Sequence, residues 1–155
     1  MGQRIDDIAR LKEMTDKGSL IVFEGILPEQ ENYRPHEGMM TFREQLNHVA
    51  FVEGFIINKI NTGINLGISA PELEPDGKLA DALAAVKSTW QITTDLLQRL
   101  QDEHLDVVIE LPEEKWKADV RYLLHVMVEH QVHHRGQLIV YFRTLGLAPP
   151  QRWRH

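Results

Sequence analysis

The chain has no cysteine. Disulfides, thiolate nucleophiles and sulfur ligands for a metal are therefore excluded, and any metal must be held by nitrogen and oxygen. No stretch approaches the roughly 18 consecutive apolar residues of a membrane-spanning helix. The segment Met1 to Arg10 carries charges where an export signal needs an apolar run, so a cytoplasmic protein without a membrane span is expected. Basic residues are outnumbered, 17 Lys and Arg against 23 Asp and Glu, for a formal net charge of −6. They are scattered apart from Arg152 and Arg154, which argues against a nucleic-acid partner, because affinity for phosphate backbones comes from clustered cations. The nucleophile-elbow, P-loop and dinucleotide-binding glycine patterns are missing too. What remains is ordinary globular composition, 43% hydrophobic and 26% charged over 155 residues, which predicts one domain over 1–155. Histidine stands out at eight residues. It is the commonest metal ligand and the usual proton carrier near neutral pH.

Helical periodicity dominates, and four long helices are expected. The first runs from Gln3 to Ile26 through Ile5, Ile8, Leu11 and Met14, weakened at Gly18 and ended by Leu27-Pro28. The second opens at Thr41, where Glu44 three residues on completes a reciprocal cap, and continues to Ile60. Asn61 to Gly77 then reads as a long connection and a candidate pocket wall. A third helix runs from Asp76–Leu79 to Glu103, followed by a short extended piece at Val107–Leu111 that Pro112 ends. The fourth runs from Asp119 to Leu145 and stops at Gly146 and Pro149-Pro150. Four helices of roughly 20 or more residues suffice to line one shared core, the requirement of an all-α helix bundle. Glu113-Glu114 and Asp102-Glu103 read as surface or capping charge, and Arg152-Trp153-Arg154 as a packed or frayed tail.

The fourth helix carries Glu129-His130-Gln131-Val132-His133-His134-Arg135-Gly136-Gln137. At about 100° per residue, His130 and His134 lie one turn apart and about 40° apart, so two imidazoles can address one ion. His133 competes for the pairing at three residues' separation. On a helical wheel Leu123, Met127, Leu138, Tyr141 and Leu145 share the side of His130 and His134, and His133 falls on the other side. The pair therefore projects along the core stripe. Two buried imidazoles are costly unless their nitrogens find partners, and a shared cation supplies one. His48, in Leu46-Asn47-His48-Val49, shares a face with Gln45, Val52 and Phe55 and is the third candidate, because bundle cores bring inward side chains of facing helices together. The HExxH zinc-protease pattern is absent, since Gln131 stands where it needs Glu.

The run His130-Gln131-Val132-His133-His134-Arg135-Gly136-Gln137, followed by Leu145-Gly146 and Pro149-Pro150, resembles the C-terminal signature of the DinB/YfiT-like family. Arg34-Pro35 before Thr41, then Leu46-Asn47-His48, resembles that family's second helix with its single ligand histidine. The likeness spans nearly the whole chain, about residues 3 to 150. It implies a four-helix bundle of up-down-down-up topology, often a homodimer, with a divalent metal held by three histidines that fall here on His48, His130 and His134. The family's chemistry is uneven: some members resemble transferases or isomerases that use a low-molecular-weight thiol, others metal-dependent hydrolases.

The expected protein is thus a metal-dependent enzyme of small-molecule substrates, with zinc or nickel on His48, His130 and His134 and an exchangeable water position. Any thiol must come from outside the chain. The alternative is a non-catalytic metal-binding or stress-response module, or a dimerisation module, for which Val128, Val132 and Ile139 supply a second apolar face on the fourth helix. Gly136 in mid-helix is read either as room for a neighbouring backbone or as a packing glycine. Gln137 and Tyr141 are candidates to orient a ligand, and Glu44 is too common a surface acid to be named a general base.

Overall fold

The computed structural model describes residues 2–71, 73, 77–111 and 115–150. Glu113-Glu114 and the Arg152-Trp153-Arg154 tail lie outside them. Four long helices make up most of the chain: α1 (Gln3–Glu24), α2 (Phe42–Ile64), α3 (Leu79–Arg99) and α4 (Val120–Thr144). Among the described residues no helix is long and apolar enough to cross a membrane.

The direction of each helix follows from contacts at its ends. Arg43 at the start of α2 donates to the Gly77 carbonyl just before α3 (3.0 Å), and Arg99 at the end of α3 donates to the Leu66 carbonyl just after α2 (3.0 Å), so α2 and α3 run parallel. Helix α1 opposes them, because its Ile5 amide donates to Asp102 beyond the end of α3 (2.9 Å). Helix α4 opposes α2, because the Tyr141 hydroxyl near its end donates to the Met40 carbonyl before α2 (2.8 Å). The topology is up-down-down-up, an all-α four-helix bundle.

Two consecutive parallel helices need a connection as long as the bundle. Helix α2 is about 34 Å long at 1.5 Å per residue, and the residues between it and α3 reach that far when extended. The return path is pinned to α2 itself. Asn61 accepts from the Ile68 amide (3.1 Å), and one turn earlier Asn58 holds Ala70 by both its amide and its carbonyl (2.8 and 3.3 Å). Asn65 (φ 61°) and Gly67 (φ 68°) make the reversal, in the left-handed region that Asn and Gly tolerate best.

Local chemistry sets the helix boundaries. Thr41 and Glu44 form the reciprocal cap of α2, the Thr41 hydroxyl accepting from the Glu44 amide (3.2 Å) and the Glu44 carboxylate from the Thr41 amide (2.7 Å). Helix α1 ends at Glu24 rather than Ile26, α2 continues to Ile64 rather than Ile60, and α3 stops at Arg99. Beyond α3 a 3₁₀ turn, Asp102–Asp106, frees Asp102 to cap α1. The extended piece is a strand, β1 (Val108–Leu111). It pairs antiparallel with β2 (Trp116–Asp119), which sequence periodicity did not reveal because four residues running directly into a helix carry too little pattern.

The stripe of α1 also differs from expectation. Counting apolar residues three apart selects Leu11 and Met14, but a 3.6-residue period carries the buried face through Ile5, Ile8, Lys12, Thr15, Ser19 and Val22, leaving Leu11 and Met14 exposed. The interior is consequently divided. One apolar cluster holds Ile5, Ile57, Leu96 and Leu123. The other holds Phe23, Phe42, Leu46 and Leu138. Between them lies a polar waist built from Lys12, Glu53, Thr93 and Gln131 of the four helices in turn. Gly18 answers a close approach: a Cβ there would stand 2.8 Å from the Arg135 guanidinium. Gly136 is exposed with nothing within 4 Å of a Cβ, so it makes no room for a neighbouring backbone and packs against nothing.

Candidate metal centre

The α2 and α4 helices bring His48, His130 and His134 together. The Nε2 atom of His130 lies 3.1 Å from Nε2 of His48 and 3.1 Å from Nε2 of His134. His134 is buried and the other two half-buried. Burial pushes the His48 imidazole below its ordinary value. Burial, and then the neighbouring His48 and His133, push His130 down to about 4, and burial with His130 and His48 pushes His134 to about 3. All three rings are neutral at pH 7.

The protonation of His134 follows from its partners. The Met40 carbonyl can only accept, so the Tyr141 hydroxyl donates to it and accepts from the Gln45 amide group (3.1 Å). That orients Gln45 with its carbonyl oxygen toward His134 Nδ1, which must donate. A neutral ring protonated at Nδ1 has a bare lone pair at Nε2. His130 Nε2 then faces two ring nitrogens with at most one proton of its own. Hydrogen bonding can satisfy only one of the two 3.1 Å contacts, and the other is left without a hydrogen bond. A cation between the three atoms relieves both. Ligand nitrogens about 2.0 to 2.1 Å from one ion stand about 2.9 to 3.4 Å apart in octahedral or tetrahedral arrangements, and the observed spacing falls in that interval.

His133 takes no part in the cluster. It is exposed, and its Nε2 lies 2.9 Å from the Gln137 amide nitrogen, which donates to it. Gln137 in turn accepts from Gln45 (2.7 Å). Tyr141 is both fully packed and part of the network. Glu44 is committed to the cap of α2. Among the described residues the one group of three or more ligand-type side chains that converges is His48, His130 and His134. The donor set suits a divalent ion with free coordination positions, since three neutral nitrogens supply neither the count nor the charge of a closed site.

Sequence reasoning missed the residues next to this centre. Gln45 was legible only as a neighbour of His48 on the wheel. The waist went unnoticed although Lys12, Thr15 and Ser19 interrupt an apolar stripe. Lys12 is 3% exposed and Glu53 2%. The Lys12 ammonium lies 2.9 Å from Glu53, 2.5 Å from Asp16, donates to Gln131 (3.2 Å) and sits 5.1 Å from the Trp90 ring centroid. Thr93 donates to Glu53 (2.5 Å). Burial raises both carboxyls above their usual range, against the pull of Lys12.

Fold and cluster together define a class: up-down-down-up four-helix bundles in which the second and fourth helices converge three histidines. The chain belongs to the DinB superfamily, whose family model matches residues 13–138. It is 29% identical over 124 residues, 79% of each chain, to the uncharacterized protein YjoA of Bacillus subtilis (strain 168). The crystal structure of the DinB-like YjoA from that organism is similar with a TM-score of 0.73 at 25% identity, covering 95% of this chain and 99% of that one. YfiT from Bacillus subtilis, described as a probable metal-dependent hydrolase with an unusual four-helix bundle topology, has a TM-score of 0.77 at 18% identity, covering 96% of this chain and 91% of its own. At that identity YfiT speaks for the fold alone.

Proposed function

We propose that the chain is a metal-dependent hydrolase of small molecules, working in the cytoplasm, with zinc or nickel held by His48, His130 and His134. One observation carries the reading: His130 Nε2 lies 3.1 Å from Nε2 of both His48 and His134, with at most one proton of its own to serve the two contacts. A divalent ion there would supply Lewis acidity toward a carbonyl or water oxygen. The chain's own residues do the positioning. Gln45 holds the His134 tautomer, Tyr141 and Met40 hold Gln45, and Gln137 ties that chain to His133 at the margin. The proposed reaction class is the one given for YfiT, a protein of the same fold described as a probable metal-dependent hydrolase.

The second reading is transfer to or from a low-molecular-weight thiol, with the same ion binding the thiolate; with no cysteine in the chain, that thiol comes from outside. The alternative of a purely structural ion fits less well. Each apolar cluster is complete without the centre, so metal removal is expected to leave the fold, whereas a structural ion's removal unfolds its domain. We also propose pairing of two copies through the exposed Leu11, Met14 and Val132 of α1 and α4, which sedimentation equilibrium tests: a monomer at high micromolar concentration rejects it.

The test is to strip the protein with chelator, reload it with zinc or nickel, and screen ester and amide hydrolysis with and without added thiols. Turnover that needs metal but no thiol supports the hydrolase. Turnover that needs both supports the transferase. A folded, metal-loaded protein inert in every arm contradicts both.

A further inference from the structure

Three residues beyond His48 on α2, Phe51 is 59% exposed, and Phe55 follows one turn later. Spacings of three and four residues put all three on one face of the helix. A cavity of about 340 Å³ opens there, lined by Phe51, Gly54, Phe55, Asn58, Pro71 and Leu73. Among the described residues no lining side chain is charged. Its far wall is the return connection, fixed by the paired bonds between Asn58 and Ala70 and brought close because a Cβ on Gly54 would already stand 3.3 Å from the Ala70 side chain. The cavity is therefore preformed rather than a gap between loose parts. The Lys59 ammonium lies 5.2 Å from the Phe55 ring centroid. An exposed phenylalanine one turn from a half-buried imidazole forgoes burial that a bound apolar group would restore.

We infer that this cavity is the apolar subsite of the histidine centre, so that the substrates join a metal-directed polar head to an apolar acyl or aryl arm lying between Phe51, Phe55 and Leu73. The inference rests on the proposed metal centre and adds the substrate class. Phe51 links the two by position: it lines the cavity and stands about one turn from His48 on the same face of α2. The arm is uncharged, because no described residue of the lining compensates a charge.

Linear alkyl hydroxamates, from acetohydroxamate to octanohydroxamate, test it on zinc-loaded protein by titration calorimetry. The expected result is affinity that rises roughly two- to fourfold per methylene until the cavity is filled. In Phe51→Ser, whose exposed site tolerates the change, that gain shrinks while acetohydroxamate binds as before. Protein without metal, titrated with octanohydroxamate, controls for apolar binding elsewhere. Affinity independent of chain length, or a gain that survives Phe51→Ser, overturns the subsite and leaves the metal centre standing. Failure of acetohydroxamate to bind, together with failure to retain zinc, overturns the centre and the subsite with it.

Discussion

The bundle interior holds two polar clusters that meet the cost of burial in opposite ways. In the waist the chain brings its own cation: Lys12 stands between Glu53 and Asp16, and Thr93 and Gln131 complete its surroundings. In the histidine centre three imidazole nitrogens converge, and among the described residues no cationic side chain joins them. A buried polar group costs free energy until a partner arrives: the first cluster already holds its ion pair, though Glu53 Oε2 and Gln131 Nε2 make no hydrogen bond, and the second fits the proposed partner from outside. The comparison also separates stability from function. The waist ties all four helices together, whereas the centre involves only α2 and α4.

The largest expected effect falls on the waist. Lys12→Ala strands the buried Glu53 carboxyl and the half-buried Asp16 and should cost about 3 to 5 kcal/mol, read as a fall in the denaturant midpoint. Lys12→Met combined with Glu53→Leu should recover much of that loss, since a buried pair replaced by apolar groups of similar volume is often neutral. If the single and double variants are equally destabilised, the waist is not an ion-pair site. Next come the ligands. His48→Ala, His130→Ala or His134→Ala should each weaken zinc binding beyond the roughly 10- to 100-fold typical of losing an outer partner, and His133→Ala should not. Loss in His133→Ala alone would reverse the assignment.

Gln45→Leu removes the acceptor that fixes the His134 tautomer and should weaken zinc binding about 10- to 100-fold without unfolding the chain. Tyr141→Phe, which only frees Gln45 to turn, should cost less. Unchanged affinity in Gln45→Leu would show that the tautomer is set elsewhere. The two clusters should also respond to pH with opposite signs. The histidines have depressed values, so their contribution is fully present above the ordinary 6.5. It declines as pH falls toward about 4, where the unfolded chain is protonated and folded His130 is not. Glu53 has a raised value, so its contribution is present below the ordinary 4.5 and is lost as pH rises through the folded value. Glu53→Gln should flatten the second limb and leave the first. Zinc should protect against the first and not the second.

Much of this was readable in the sequence, because helices announce themselves by period. The Thr41–Glu44 cap, the four helices and the inward pair His130 and His134 follow from spacing alone. The convergence of His48 on that pair was implied by the family resemblance and is seen in the fold, since periodicity alone places a residue on a face and not beside a partner on another helix. The waist was hidden by a choice of pitch. Counting by three followed Leu11 and Met14 outward, while the true stripe ran through Lys12, Thr15 and Ser19. Gln45 was invisible for another reason: its role depends on a hydrogen bond from α4 and on a carbonyl at Met40, neither of which leaves a local pattern.

The most direct test of the central claim is X-ray absorption at the zinc edge of stoichiometrically loaded protein. The account predicts three imidazole nitrogens at about 2.0 to 2.1 Å, with their outer-ring scattering, and at least one further light ligand that is not imidazole. A spectrum with one imidazole or none, or the same spectrum from His130→Ala, would contradict it.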